Sequence, residues 1–459
     1  MGNLNMSFQD DYCLVALGKD PMLIGSLTRF VDEPRIIVTT NGVTYGDLRR
    51  SSQEIAFNHF AGRSRNFPFS DGGLQGLVAT PDFEFPLEGG DIKDLKWTDA
   101  LFKFREEIDR RLREESSGRS IAVNTYSNSV HSDRLRKMGF LVLGPKFELV
   151  NHFSNKIKSY NLAKKLEIPV VDGDVVDSLE DARDLFEEYN WENGAFVTSE
   201  KGSGGKTAKH ICSLRDLDIF EGAPPLLMTE WIRKEQAPNS LVLIGKDRCL
   251  YLGVTDQIIV RGVEYFGNTF PSRATERAQN KIRDYTLKFA EYMRKKDYRG
   301  FSGFDWMTSG DDVFFSEINP RKNRSTSMLV ASLEKNRPSG VPSISEMEVL
   351  ATLEKPFGYI DSWDVEEGIH WGMRLFKTFG QAEVIRGIRP EFDDTSIFRG
   401  DLKNPRSSVL NFPKKGVVLE RFTNYHDLAR IISLGNSHEE VNGRIEDERE
   451  KIRKSYRKF

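Results

Sequence analysis

The stretch Gly300–Ser327, GFSGFDWMTSGDDVFFSEINPRKNRSTS, admits few folds. Two short runs rich in strand formers flank Thr308–Asp312, so the spacing predicts a hairpin with Asp305 on its first strand and Glu317 and Asn319 on its second. Residues two apart share a strand face, so Glu317 and Asn319 point one way and Ile318 points the other, into a core. Once closed, the hairpin brings a carboxylate from each strand to the same end of a sheet. Such hard oxygen ligands suit Mg2+ carrying polyphosphate, which takes a few carboxylates and keeps sites for phosphate and water. Arg321 and Arg324 follow as cations able to grip phosphoryl or carboxylate oxygens with paired donors. The same residues also fit a polar hairpin edge whose acids face water, so the choice falls to the upstream sequence.

Upstream, the predicted strand Gly194–Thr198 runs into Glu200–Thr207, EKGSGGKT. Gly202, Ser203, Gly204 and Gly205 let the backbone turn its N–H groups inward as an anion nest, and Lys201 and Lys206 add charge. It is not a P-loop, because no glycine stands at position 200, where GxxxxGK[ST] requires one. After Pro224-Pro225, the strand LLMTEWI (226–232) leads into a linker whose backbone can meet an adenine edge. Ser240–Ile244, Cys249–Val254 and Gln257–Val260 read as three short antiparallel strands, Gly267–Pro271 as a loop, and Thr275–Lys296 as a long amphipathic helix delivering the chain to the hairpin.

The earlier chain reads as α/β. Tyr12–Gly18 and Arg35–Thr39 are strands around a helix at Pro21–Phe30, with no GxGxxG after the first strand. Asp99–Glu115 is a charged helix, Ser120–Asn124 a strand, His131–Met138 a helix and Phe140–Leu143 a strand. The Gly72-Gly73 and Gly89-Gly90 region is a less regular excursion. Phe153–Leu166 is expected to be one helix, and Ser178–Tyr189 another, with Ser178 as its N-cap and Asp181 in its first turn. Towards the end, His370–Phe379 is a helix or strand edge, Ala382–Ile388 and Gly416–Phe422 are strands, and Arg444–Phe459 is a helix of mixed charge.

With 459 residues the chain has room for roughly three domains. A net charge of -3 argues against a general polyanion binder, so no nucleic-acid partner is expected. Cys13, Cys212 and Cys249 lack metal-ligand spacing and read as buried small hydrophobes in a reducing compartment, neither disulfides nor zinc ligands. No run approaches the length of a membrane span, and MGNLNMSFQDD lacks a basic leader, so the expected location is the cytoplasm, with no membrane partner. His59, His131, His152, His210, His370 and His426 are scattered and read as surface or packing residues.

Taken in order, phosphate loop, linker and metal hairpin resemble the ATP-grasp superfamily, in which two α+β lobes clamp MgATP and most members join a carboxylate to an amine or thiol through an acyl phosphate. EINPR (317–321) is the most specific part. The resemblance implies an α/β and α+β chain: a Rossmann-like domain over 1–145, a first lobe over 146–235, a second lobe with the metal hairpin over 236–345, and an added domain over 346–459. It implies that Lys156 reaches the α phosphate, that Gly202–Gly205 form the flexible loop, and that Glu230, Trp231 and Ile232 take adenine. Asp305, Glu317 and Asn319 become the magnesium set, with Arg321 and Arg324 beside the phosphoryl group. The sequence departs from the pattern at Thr198, where many members carry a lysine; Lys201 or Lys206 then supplies the missing charge, or ATP is held more weakly. Nor does Gln236–Asn239 contain the acid that usually meets the ribose. The implied function is an ADP-forming carboxylate-amine ligase using ATP and Mg2+. A small-molecule kinase and a nucleotide-binding scaffold stand as alternatives. Its substrates are a small carboxylate and an amine, among them amino acids, peptides and carrier-bound acyl groups. Residues 346–459 either complete the acceptor pocket or make a homodimer contact.

Overall fold

The computed structural model describes residues 12–18, 36–39, 53–56, 118–202, 207–358, 362–378, 383–385, 402, 404–410, 418–419 and 426–458. The helices expected at Pro21–Phe30 and Asp99–Glu115, the glycine-paired excursion, and Ser203, Gly204, Gly205 and Lys206 lie outside them. The chain divides into two compact units, Met1–Gly144 together with Thr326–Phe459, and Pro145–Ser325.

In the first unit, strands β1 (Tyr12–Gly18), β2 (Ile36–Thr39), β3 (Gln53–Ala56), β4 (Ser120–Thr125) and β5 (Leu141–Val142) form a parallel sheet in the order β3-β2-β1-β4-β5. Helix α1 (Val130–Lys137) links β4 to β5, and Arg136 ties its last turn to the carbonyls of Val142 and Gly144 at 3.2 and 2.9 Å.

Pro145–Ser325 holds the elements that build the site. The single helix expected over Phe153–Leu166 is two, α2 (Phe147–Phe153) and α3 (Lys156–Lys165). Asn155 breaks them apart: its backbone is extended and its side chain accepts the Lys158 amide at 2.9 Å, an N-cap that starts a new helix. Strand β6 (Gly173–Val176) follows, then α4 (Leu179–Tyr189), capped at the Asp181 amide by Ser178 as expected. Next come β7 (Ala195–Ser199), β8 (Ala208–Ile211) and β9 (Leu226–Glu230), and the four strands form an antiparallel sheet in the order β6-β9-β7-β8.

A second sheet begins with β10 (Pro238–Ile244), β11 (Cys249–Val260) and β12 (Glu264–Phe270). Here the sequence expectation fails twice. Cys249–Val254 and Gln257–Val260 are one strand, because Thr255 and Asp256, polar enough to suggest a turn, are buried in mid-strand. Asp256 accepts the Ser272 hydroxyl at 2.6 Å and the Arg273 amide at 2.7 Å. Residues 267–270, read as a loop, instead pair with β11, Gln257 opposite Asn268 and Asp256 opposite Thr269.

Helix α5 (Glu276–Arg294), capped by Thr275, buries Ala278, Ile282, Phe289, Ala290 and Met293. It packs on β13 (Gly300–Ser309) and β14 (Asp312–Asn319), which complete the sheet order β14-β13-β10-β11-β12 within this unit. Phe289 stacks on Phe304 and Trp306 meets Phe315 edge to face in the core, and Trp306 finds a partner for its indole N–H in Ser240 Oγ at 2.9 Å. That bond removes the cost of burying a polar group in an apolar core.

The first unit resumes with α6 (Thr326–Glu334) and α7 (Ile344–Thr352), the latter opened by a Ser343/Glu346 capping box. Strands β15 (His370–Thr378), β16 (Glu383–Ile385), β17 (Arg406–Leu410), β18 (Val418–Leu419) and β19 (His426–Gly435) follow. The mixed-charge helix starts earlier than expected, as α8 (His438–Ser455), and yields at its end to β20 (Tyr456–Lys458). Its buried residues Val441, Ile445 and Ile452 make it a packed helix with ion-paired outer faces.

Candidate functional site

The β13–β14 register sets Asp305 directly opposite Glu317 and Gly303 opposite Asn319. A bulge lies between them and the rest of the hairpin: Trp306 pairs with Phe315, so Ser316 is the extra residue. Val313 and Phe315 are buried, and beyond Ser316 the buried position is Ile318, so the inserted residue reverses which face of β14 enters the core. Without it, Glu317 would share the face of Phe315. The bulge therefore turns Glu317 and Asn319 out of the core, towards Asp305.

Around the two acids lies a ring of donors. Gln257 Nε2 donates to Asp305 Oδ1 at 2.6 Å, Asn239 Nδ2 donates to the same oxygen, and Asn319 Nδ2 reaches Asp305 Oδ2 at 2.9 Å. Asn239 is buried and is in turn held by Asn323 Nδ2 at 2.7 Å. Asn323 comes close because residue 303 is glycine; a Cβ there would lie 1.9 Å from its Nδ2. Lys156 Nζ lies 3.1 Å from Glu317 Oε2, and Arg321 Nη2 donates to Asn319 Oδ1 at 2.9 Å. Lys156 is placed by the start of α3, where its amide bonds to the Glu200 carbonyl at 2.9 Å.

Two carboxylates this close do not both ionise readily. Burial, and then the Glu317 charge, push the Asp305 carboxyl up to about 7, against the pull of Gln257 and Asn239. Burial also acts to raise Glu317, but Lys156, Asp305 and Arg321 outweigh it and hold that carboxyl below its usual range.

The remaining expected residues fall in three groups. Thr198 is buried, with its hydroxyl on the Ser199 carbonyl at 3.4 Å, whereas Lys201 and Gly202 are exposed at the loop entrance. Ser203, Gly204, Gly205 and Lys206 lie outside the described residues. In the linker, the Glu230 and Trp231 amides already bond to Asp172 and Gly194 carbonyls, both at 2.9 Å, which leaves Ile232 outside those pairings. The Trp231 ring stacks on His210 at 4.0 Å and rests on Gly262, where a Cβ would lie 2.4 Å from the indole, so it is a packed wall. Arg324 places its guanidinium over Tyr265, 5.5 Å from the ring centre. Asn239 and Gln257 were missed because only strand pairing brings them to Asp305; nothing in their local sequence marks them.

A magnesium ion takes one or two carboxylates and keeps the rest of its shell for water and phosphate. Asp305 and Glu317 supply that pair, and a half-turn of the Asn319 amide would present its oxygen to them, so the donor set fits. Among the described residues there is no group of three or more His, Cys, Asp or Glu side chains able to hold a metal. Nor is any helix among them long and apolar enough to cross a membrane.

Residues 153–325 match the ATP-grasp domain family. The carbamoyl phosphate synthase large chain of Clostridium acetobutylicum is 23% identical over 238 residues, which are 50% of this chain and 21% of that protein. Its counterpart in Thermoanaerobacter is 24% identical over 312 residues, 63% of this chain and 28% of the other. The matched segments thus span only 21% and 28% of the length of these curated relatives. The biotin carboxylase domain of Hydrogenobacter thermophilus 2-oxoglutarate carboxylase, solved with MgADP, ADP and bicarbonate, superposes with TM-score 0.64 at 12% identity, covering 97% of this chain and 90% of that one. The N5-carboxyaminoimidazole synthase of Aspergillus clavatus, with ADP and 5-aminoimidazole ribonucleotide, gives TM-score 0.58 at 13% identity over 96% of this chain and 98% of that one. Both likenesses show a shared fold. Glu317 to Arg321 on the bulged hairpin lie within residues 153–325, the segment that matches the ATP-grasp domain family.

Proposed function

We propose that the domain binds ATP with magnesium and uses it to activate a carboxylate for attack by an amine, as an ADP-forming ligase. The observation that carries this reading is the opposed pair Asp305 and Glu317, flanked by Lys156 and Arg321 at one end of the sheet. Held by Asp305, Glu317 and Asn319, magnesium would supply positive charge against the polyphosphate oxygens. The chain's own residues do the rest. Lys156 is withdrawn from water far enough to keep its charge directed at the acids, and it is the cation poised to pass from Glu317 to a phosphate oxygen. Arg321 has its fork set by Asn319 and by the Lys322 carbonyl at 2.9 Å, which keeps its charge beside the acids, where a phosphoryl or acyl oxygen would bind. The amide donors of Asn239 and Gln257 fix the Asp305 rotamer before any ligand arrives, which lowers the ordering cost of binding.

In the overall chemistry, a substrate carboxylate takes the γ-phosphoryl group of ATP and releases ADP. An amine then attacks the acyl carbon, forming the amide and expelling phosphate. The solved relatives support a site for adenine nucleotide in this fold, since two of them hold ADP. Bicarbonate in one of them makes it a natural member of the acid panel. ADP and phosphate release, measured while carboxylates and amines are varied separately, is the test. Release that needs both partners supports the ligase. ADP release without an amine, leaving a stable phosphorylated product, would replace it with a kinase; binding without turnover would replace it with a nucleotide-binding protein.

A further inference from the structure

Lys156 is held at both ends. Its amide bonds to the Glu200 carbonyl at 2.9 Å, and the neighbouring Asn155 side chain donates to Glu200 Oε2 at 3.1 Å, so its backbone is anchored at the entrance of the glycine loop. Its ammonium group lies 3.1 Å from Glu317 Oε2. The other oxygens of the acid pair also meet N–H donors. Asn239 and Gln257 donate to Asp305 Oδ1, and Asn319 Nδ2 lies 2.9 Å from Asp305 Oδ2 and 3.5 Å from Glu317 Oε1. Without a ligand, the chain itself satisfies both carboxylates.

These donors are not equally easy to displace. A side-chain amide can turn over in place and present its oxygen, whereas an ammonium group has only donors to offer. A divalent cation on Glu317 Oε2 leaves Lys156 facing like charge at a partly buried position, where screening by water and salt is weak. A phosphate oxygen supplies the anion that Lys156 then lacks, and only the side chain has to swing, because the backbone is already fixed at the loop entrance. We propose that Lys156 competes with the free divalent cation for Glu317 and leaves it for a nucleotide phosphate, so that the acid pair is loaded preferentially with the metal–nucleotide complex. The inference rests on the nucleotide-binding reading above, and it makes metal and phosphate bind cooperatively through one side chain.

The test measures metal binding by the full chain, with Mn2+ followed by electron paramagnetic resonance in place of Mg2+. Without nucleotide, Lys156→Met should bind Mn2+ about tenfold or more tighter than wild type, the scale of removing one competing charge at a partly buried site. Lys156→Arg should bind it as wild type does. So should Lys165→Met, which removes the same charge from the exposed face of the same helix. A second measurement needs no variant: AMP should tighten Mn2+ binding by the wild type several-fold, and adenosine, which has no phosphate, should not. Mn2+ affinity no higher in Lys156→Met than in wild type, an equal gain in Lys165→Met, or equal Mn2+ affinity with AMP and with adenosine overturns the inference. Calorimetry of the wild type with MgADP separates that failure from a deeper one. MgADP binding beside any of those results leaves the proposed function standing, whereas no MgADP binding brings down both.

Discussion

Lys156 Nζ and Glu317 Oε2 are 3.1 Å apart, although one opens a helix and the other closes a hairpin strand. The pair is partly buried, so its charges are less screened than those of a surface pair. On the proposed reading, Lys156 in the free protein stands where the metal charge would act on Glu317.

Replacing Glu317 by Gln removes one carboxylate while keeping size and hydrogen bonding. Turnover should fall by at least two orders of magnitude, the scale of losing one electrostatic stabiliser of the transition state, with the circular dichroism spectrum and much of the nucleotide affinity retained. Steady-state ADP release checks this, and wild-type turnover in the variant would remove Glu317 from the site.

Protonation of Asp305 has a sign that can be read from stability. Its folded carboxyl sits up to about 7, against about 4 in an unfolded chain. Between those values the folded state keeps a proton that the unfolded state has lost, so without metal stability should fall as pH rises through that window. Glu317 is held low in the folded state, so its contribution is lost only as pH falls below the usual carboxylate range. Melting curves from pH 5 to 7.5, wild type against Asp305→Asn, should show the wild-type midpoint dropping relative to the variant, and added magnesium should flatten the difference.

Gly303→Ala tests the support behind Asp305. The new methyl would meet Asn323 Nδ2 and, by displacing it, release Asn239 from its 2.7 Å bond. Overpacking of this kind costs about 1–3 kcal/mol. MgADP affinity should weaken several-fold, and a wild-type melting point and affinity would show that Asn323 yields freely.

The two described thiols should react at very different rates. Cys212, expected to be buried, is exposed on the chain after β8, whereas burial, and then Glu291, push the Cys249 thiol up to about 12. At pH 8 such a thiol is ionised to about one part in 10⁴, so iodoacetamide followed by peptide mapping should label Cys212 first, and Cys249 only on unfolding. Equal labelling of both in the native protein would contradict the packing around β11.

Several elements were readable because their causes are local. Ser178 and Thr275 cap the helices that follow them, and the hairpin appears where alternating apolar residues flank a turn. Other features depend on partners far along the chain. Asp256 and Thr255 look like turn residues, yet Ser272, Arg273 and Asn268 satisfy them within a strand. Residues 267–270 look like a loop, yet β11 offers them an edge to pair with. The helix break at Asn155 comes from its side chain capping the Lys158 amide, while the apolar spacing on either side runs on without interruption.

What the sequence by itself determined is the inventory: two acids and an amide on a hairpin, a glycine loop, a linker, and arginines after EIN. Periodicity of two and turn chemistry suffice for that, since they act over a few residues. Only the tertiary structure decided that an extra residue at Ser316 turns Glu317 towards Asp305, that Asn239 and Gln257 hold that acid, and that Lys156 pairs with Glu317. The physical reason is that register, bulges and buried charge are settled by strands meeting across long stretches of chain, and no window of sequence contains both partners.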